Sequence, residues 1–186
     1  MTNFDRIKGY YSVFDEQNRL ARDNSGKLEF EMTMHILKKY LPEKGTVLDL
    51  GGGAGVYAFE LAQKGYQVWL ADLSERLIEQ ASERRSVEQT ENLIATDVVN
   101  AIDLSNYQDN MFDIVLALGP FYHLTEEIER QKCASEIKRV LKDGGIVIAG
   151  FIPYLSGSIA IVDRYFFRPE HVDASNLAYV FETGKF

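Results

Sequence analysis

Two stretches of the chain hold residues whose types and spacing could do chemistry. Val47-Leu48-Asp49-Leu50-Gly51-Gly52-Gly53-Ala54-Gly55 passes from apolar residues through acid into a cluster of glycines. The apolar part reads as a buried strand, and residues 56–63 read as a helix. That order builds a strand–turn–helix crevice where backbone approaches a nucleotide-like ligand closely, because glycine has no Cβ and tolerates positive φ. A second apolar run, residues 66–71, ends on Asp72, twenty-one residues beyond Gly51. An acid there is placed to accept hydrogen bonds from ribose hydroxyls. The chemistry predicted is the binding of an adenosine-bearing cofactor.

Glycine spacing selects among such cofactors. A dinucleotide fingerprint, G-x-G-x-x-G/A, sets a helix N-terminus against a pyrophosphate. Here its third position falls on Val56. The pattern that fits is D-x-G-x-G-x-G, carried by Asp49, Gly51, Gly53 and Gly55 with Gly52 between them. It resembles the glycine-rich motif of class I S-adenosylmethionine-dependent methyltransferases. Their cofactor carries a sulfonium and an ammonium, and an acid at a strand end suits a cation. Asp49 is expected to meet the ammonium directly or through water. A nicotinamide-dependent oxidoreductase is the alternative that Val56 argues against. A non-catalytic cofactor-binding module is the other.

These residues need a scaffold. Phe30, Met34, Leu37 and Leu41 make one apolar stripe of a helix starting near Ser25 or Gly26 and stopped by Pro42. Strands are expected at 47–50, 66–71, 92–96, 112–118 and 146–152. Gly65 suits a helix C-cap; Ser74 and Thr125 suit N-caps. The last helix should run to Leu141-Lys142 and end at Asp143-Gly144-Gly145. Alternation of strands and helices predicts an α/β fold, a doubly wound parallel sheet with strand order 3-2-1-4-5. In such sheets ligands bind beyond the carboxyl ends of the strands. Asp49–Gly55, Asp72, Asp97 and Gly119 all fall at that edge.

The resemblance extends over most of the chain. Arg139-Val140-Leu141-Lys142-Asp143-Gly144-Gly145 is similar to the family's R-V-L-K-P-G-G, with Asp143 where proline is usual. Leu118-Gly119-Pro120-Phe121-Tyr122-His123-Leu124 resembles the L-G-P-L-Y-H-L of a small-molecule subgroup, and so does the leading run from Tyr10 to Leu20. The resemblance implies roles. Asp72 takes the ribose and Leu73 walls the adenine. Asp97 and the Val98 N–H meet the adenine edge, while Leu118 and Gly119 lie near the methionine part.

His123 and Tyr122 are the candidates for a general base, His123 equally readable as a packing residue. Tyr11, with Tyr10, either covers the cofactor or packs a helix. The family sheet ends in an antiparallel hairpin beyond strand 5, which this chain is expected to lack. Residues 1–45 are expected to form a helical cap, 46–152 the cofactor core and 153–186 a lid-like segment of one domain. The chain is then a fragment or truncated, and an uncovered strand 5 edge would invite self-association.

Composition bounds the partners. The 186 residues carry net charge −8, which opposes a phosphate backbone, so a small-molecule acceptor is expected rather than nucleic acid. No apolar run is long enough to span a membrane. A single cysteine, Cys133, and the absence of a leading apolar segment suggest the cytoplasm. The three histidines are far apart, and no metal is expected.

Overall fold

The computed structural model describes residues 3–12, 16, 18–153, 156 and 159. The chain divides into two compact units, residues 1–150 and 151–186. All the elements below belong to the first. The segment expected as a lid, with His171, lies outside the described residues apart from Pro153, Ser156 and Ile159.

In chain order the elements are α1 (Asn3–Tyr11), α2 (Arg19–Arg22), α3 (Asn24–Tyr40), β1 (Thr46–Leu50), α4 (Val56–Gln63), β2 (Gln67–Asp72), α5 (Glu75–Glu88), β3 (Leu93–Val98), β4 (Phe112–Ala117), α6 (Pro120–His123), α7 (Glu127–Val140) and β5 (Leu141–Ala149). The five strands form one parallel sheet, ordered β3-β2-β1-β4-β5. β5 stands at its edge among the described strands.

Helices cover both faces, which is why the strands read as apolar runs. Alternate residues feed two cores. Val47, Val68, Leu70, Ile114 and Leu116 pack against Ala58, Phe59 and Leu61 of α4, Ile78 and Ala81 of α5, and Leu37 of α3. Leu48, Leu50, Ala71, Val115 and Ala117 turn the other way, onto Cys133, Ile137 and Val140 of α7. Each fully buried Leu, Val or Phe contributes about 1.5–3 kcal/mol relative to exposure. The α3 stripe is as expected, with Leu37 buried and Phe30, Met34 and Leu41 packed on the first core. α3 starts earlier than expected because Asp23 caps it, accepting from Gly26 N at 2.9 Å.

The last third departs from the sequence reading in two places. α7 begins at Glu127 with Glu126, not Thr125, at its N-cap. The Arg130 guanidinium holds the preceding turn instead, donating to the Leu124 and Thr125 carbonyls at 2.7 and 2.8 Å. β5 starts at Leu141, directly after α7, and ends at Ala149. Asp143-Gly144-Gly145 bulges out of this strand, because pairing jumps from Phe112–Leu141 to Ile114–Ile146. Gly144 has φ +77°, and a Cβ on Gly145 would lie 2.9 Å from the Asp113 carbonyl.

Arg139 ties this region to the loop before β4. It donates to the carbonyls of Tyr107 (2.9 Å) and Leu104 (2.8 Å) and pairs with Glu136 and Asp109. Arg139→Ala leaves two carbonyls without this donor and is expected to lower unfolding free energy by about 1–3 kcal/mol. Urea unfolding at unchanged slope measures it; an unshifted midpoint would show that water replaces the guanidinium at no cost.

Candidate functional site

The chain order reverses between β1 and β4. β2 and β3 lie to one side of β1, and β4 and β5 to the other. The loops leaving β1 and β4 therefore part at the carboxyl edge, which makes this the place for a ligand. Two glycines let those loops touch. A Cβ on Gly51 (φ +70°) would sit 2.8 Å from Pro120 Cδ, and one on Gly119 would sit 2.9 Å from the Gly51 carbonyl oxygen. The result is a cleft that opens to solvent.

Its floor is the glycine turn and the end of β2. Gly51 and Gly53 line it, with Asp72 and Leu73 beside them. The Asp72 carboxylate spans two turns, accepting from Gly53 N at 2.9 Å and Ser74 N at 2.8 Å. Burial raises its pKa, and those backbone donors oppose the rise. Gly53 has φ +59°, and a Cβ there would meet Glu16 Cγ at 3.1 Å.

The roof comes from α1 and α6. Ile7, Tyr11, Tyr122 and His123 line the cleft. Tyr11 Oη lies 2.8 Å from His123 Nε2, and Asn3 Nδ2 donates to the His123 carbonyl at 2.9 Å. From the other side Arg76 of α5 grips the Tyr11 carbonyl, at 2.7 Å from Nη2. Burial holds the His123 pKa below its usual value, favouring neutral imidazole. It pushes the Tyr122 hydroxyl up to about 12 and the Tyr11 hydroxyl higher still.

Several expected residues sit elsewhere. Asp49 is 1% exposed, on the α4 face of the sheet under Gly52, whose Cβ would lie 2.5 Å from its Oδ2. It does not line the cleft. Gly52 and Gly55 likewise pack inward, against Leu70 and, for Gly55, Phe59. Asp97 accepts from the Tyr107 hydroxyl at 2.9 Å and, like Val98, does not line the cleft. Val99 and Ala101, just beyond β3, line it instead. Leu118 packs on the first core while its neighbour Gly119 faces the cleft. Cys133 is fully buried, its thiol pushed up to about 12 by that burial.

Glu16, Pro120, Val99 and Ala101 were not singled out by sequence. Glu16 reaches the cleft from a segment with no periodicity, and only its approach to Gly53 reveals it. No group of three or more His, Cys, Asp or Glu side chains among the described residues is arranged to hold a metal ion.

Residues 48–149, more than half of the chain, match the family model described as a methyltransferase domain. The chain belongs to the class I S-adenosylmethionine-dependent methyltransferases. A solved protein from Pyrococcus horikoshii OT3 is 28% identical with TM-score 0.68, over 89% of this chain and 72% of that one. The glycine/sarcosine N-methyltransferase of Parasynechococcus marenigrum is 30% identical over 72% of this chain and 47% of its own length. The tRNA 5-carboxymethoxyuridine methyltransferase of Escherichia coli is 27% identical over 60% of this chain and 42% of its own length. The chain spans about half the length of the curated relatives it matches.

The site fits the family's cofactor on its own terms. Gly51 and Gly119 let the β1 and β4 loops meet beside the cleft with no Cβ between them, and Asp72 lines it next to apolar Leu73.

Asp49 carries a pH signature. Burial, and then the charge of Asp72, push its carboxyl from 3.8 up to about 7, against the lowering effect of the Ala58 N–H. Because the folded value is the raised one, this group favours folding at low pH, and that contribution is lost as pH rises from about 4 to about 7. Asp49→Asn removes it. Relative to wild type, the variant should therefore gain stability as pH is raised from about 4 to about 8. Denaturant titrations at both pH values check this; a difference independent of pH would contradict it.

Proposed function

We propose that the chain transfers a methyl group from S-adenosylmethionine to a small-molecule acceptor. The observation that carries this reading is the cleft at the β1–β4 divergence, floored by glycines and faced by Asp72. The cofactor supplies an electrophilic methyl on a positively charged sulfur. The chain's residues bind, orient and exclude water. Asp72 has capacity left for ribose hydroxyls after its two backbone donors. Leu73, Val99 and Ala101 offer an apolar wall suited to adenine.

At the other end, Tyr11, Tyr122 and His123 surround the space left for the acceptor. A neutral His123 can take a proton at Nε2, the atom now paired with the Tyr11 hydroxyl. This serves an acceptor that must lose a proton as it is methylated.

Electrostatics favours a small acceptor over nucleic acid. The chain has net charge −8, and neither lysine nor arginine is among the described residues lining the cleft. No helix among the described residues is long and apolar enough to cross a membrane. The lone, buried cysteine suits a cytoplasmic setting. A nicotinamide cofactor is disfavoured by Val56, which opens α4 where the dinucleotide pattern needs a small residue.

S-adenosylhomocysteine should stabilise the folded chain by about 2.7 kcal/mol at a hundredfold excess over Kd. Asp72→Ala should weaken its binding by about 1.5–3 kcal/mol. Thermal unfolding with and without ligand measures both. A melting curve indifferent to the ligand in a folded sample would count against the reading.

A further inference from the structure

The acid expected to meet the cofactor's ammonium, Asp49, is sealed under Gly52, and the cleft presents a different one. Glu16 lies over the glycine turn, with its Cγ 3.1 Å from where a Gly53 Cβ would stand. It lines the cleft together with Gly53, Tyr11 and Tyr122. Its Oε1 accepts from Arg19 Nε at 2.9 Å. That same guanidinium is also held by both oxygens of Glu29, at 2.8 and 2.9 Å. One cation thus serves two carboxylates, and the cluster keeps one unbalanced negative charge. The charge is felt inside the cleft, where Glu16 raises the pKa of the Tyr11 and Tyr122 hydroxyls.

We propose that Glu16 is the anchor for the α-ammonium at the amino-acid end of the cofactor. The inference rests on the methyltransferase reading above and adds a residue to it. Asp72, across the turn, already holds Gly53 N and Ser74 N and belongs to the ribose. Glu16 keeps a carboxylate oxygen, Oε2, outside its described bond to Arg19, and its Cγ lies over Gly53 in the lining that Tyr11 and Tyr122 share. Arg19 serves as the positioning residue: it fixes the Glu16 carboxylate at the cleft while Glu29 fixes Arg19. A charge-assisted hydrogen bond to an ammonium is then the natural use of this acid.

Calorimetric titration of the full chain with S-adenosylhomocysteine and with 5′-methylthioadenosine separates the possibilities. The second ligand keeps the nucleoside and lacks the amino-acid end. Glu16→Gln should weaken S-adenosylhomocysteine by about tenfold or more and leave methylthioadenosine unchanged. Glu16→Asp, which keeps the charge on a shorter stem, should lose less than Glu16→Gln.

Three results would overturn the assignment. The first is wild-type affinity of Glu16→Gln for S-adenosylhomocysteine. The second is an equal loss for both ligands, the mark of a residue that only shapes the cleft. The third, with S-adenosylmethionine titrated as a third ligand, is a loss confined to that ligand, which would point the carboxylate at the sulfonium instead. Failure of the wild-type chain to bind either ligand would remove the cofactor reading itself, and Glu16 with it; that outcome is distinct because it appears before any substitution.

Discussion

The carboxylate of Asp72 holds two turns at once, and the geometry of the cleft depends on it. One oxygen accepts from Gly53 N and the other from Ser74 N, so the glycine turn after β1 and the start of α5 are fixed to the end of β2. The turn needs that restraint. Gly51, Gly53 and Gly55 all have positive φ, a conformation glycine tolerates but does not prefer strongly on its own. The Ala71 carbonyl adds to the hold by accepting from Gly51 N at 2.7 Å. With the turn pinned, Gly51 can meet Pro120 and Gly119, which sets the gap between the diverging loops.

A period of two separates the fates of the two strand-end acids. Asp49 lies in β1 with its neighbours Leu48 and Leu50 directed to the α7 face, so its own side chain is directed to the α4 face and buried. It is a carboxyl without solvent, and its Oδ2 has no hydrogen-bond partner. Asp72 is the last residue of β2, where the sheet no longer covers it, and it faces the cleft. Each acid sits near the end of an apolar strand, yet only Asp72 lines the cleft. The task of meeting a cation then falls to a residue brought in from outside the sheet, which is the place Glu16 occupies.

Much of this was legible in the chain. The five strands declared themselves because both faces of a parallel sheet are covered, making apolar runs with clear ends. Gly65 and Ser74 act at the ends of α4 and α5 as their residue types suggest. The start of β5 was not legible, since Gly144-Gly145 reads as the gap between helix and strand, whereas the chain enters the strand at Leu141 and bulges at the glycines. α6 is four residues long, too short to show periodicity, and starts on Pro120. Among site residues, Asp72, Leu73, Gly51, Gly53, Gly119, Tyr11, Tyr122 and His123 converge on the cleft. Asp49 and Gly52 do not, because motif membership does not say which way a strand residue points. Glu16 and Val99 carry no local signal, and only tertiary packing brings them in.

The central account is that the cleft over the glycine turn is the cofactor site, and Gly53 tests it most directly. Gly53 lines the cleft at φ +59°, and its Cβ would stand 3.1 Å from Glu16 Cγ, so Gly53→Val strains the turn and crowds Glu16 at the floor of the cleft. Calorimetric titration with S-adenosylhomocysteine, paired with circular dichroism to follow the fold, is the measurement. The account predicts that the Val variant keeps its helix and strand signal and shows no detectable binding. A folded Val variant that binds the ligand as wild type does would contradict it, because the ligand would then have to sit elsewhere.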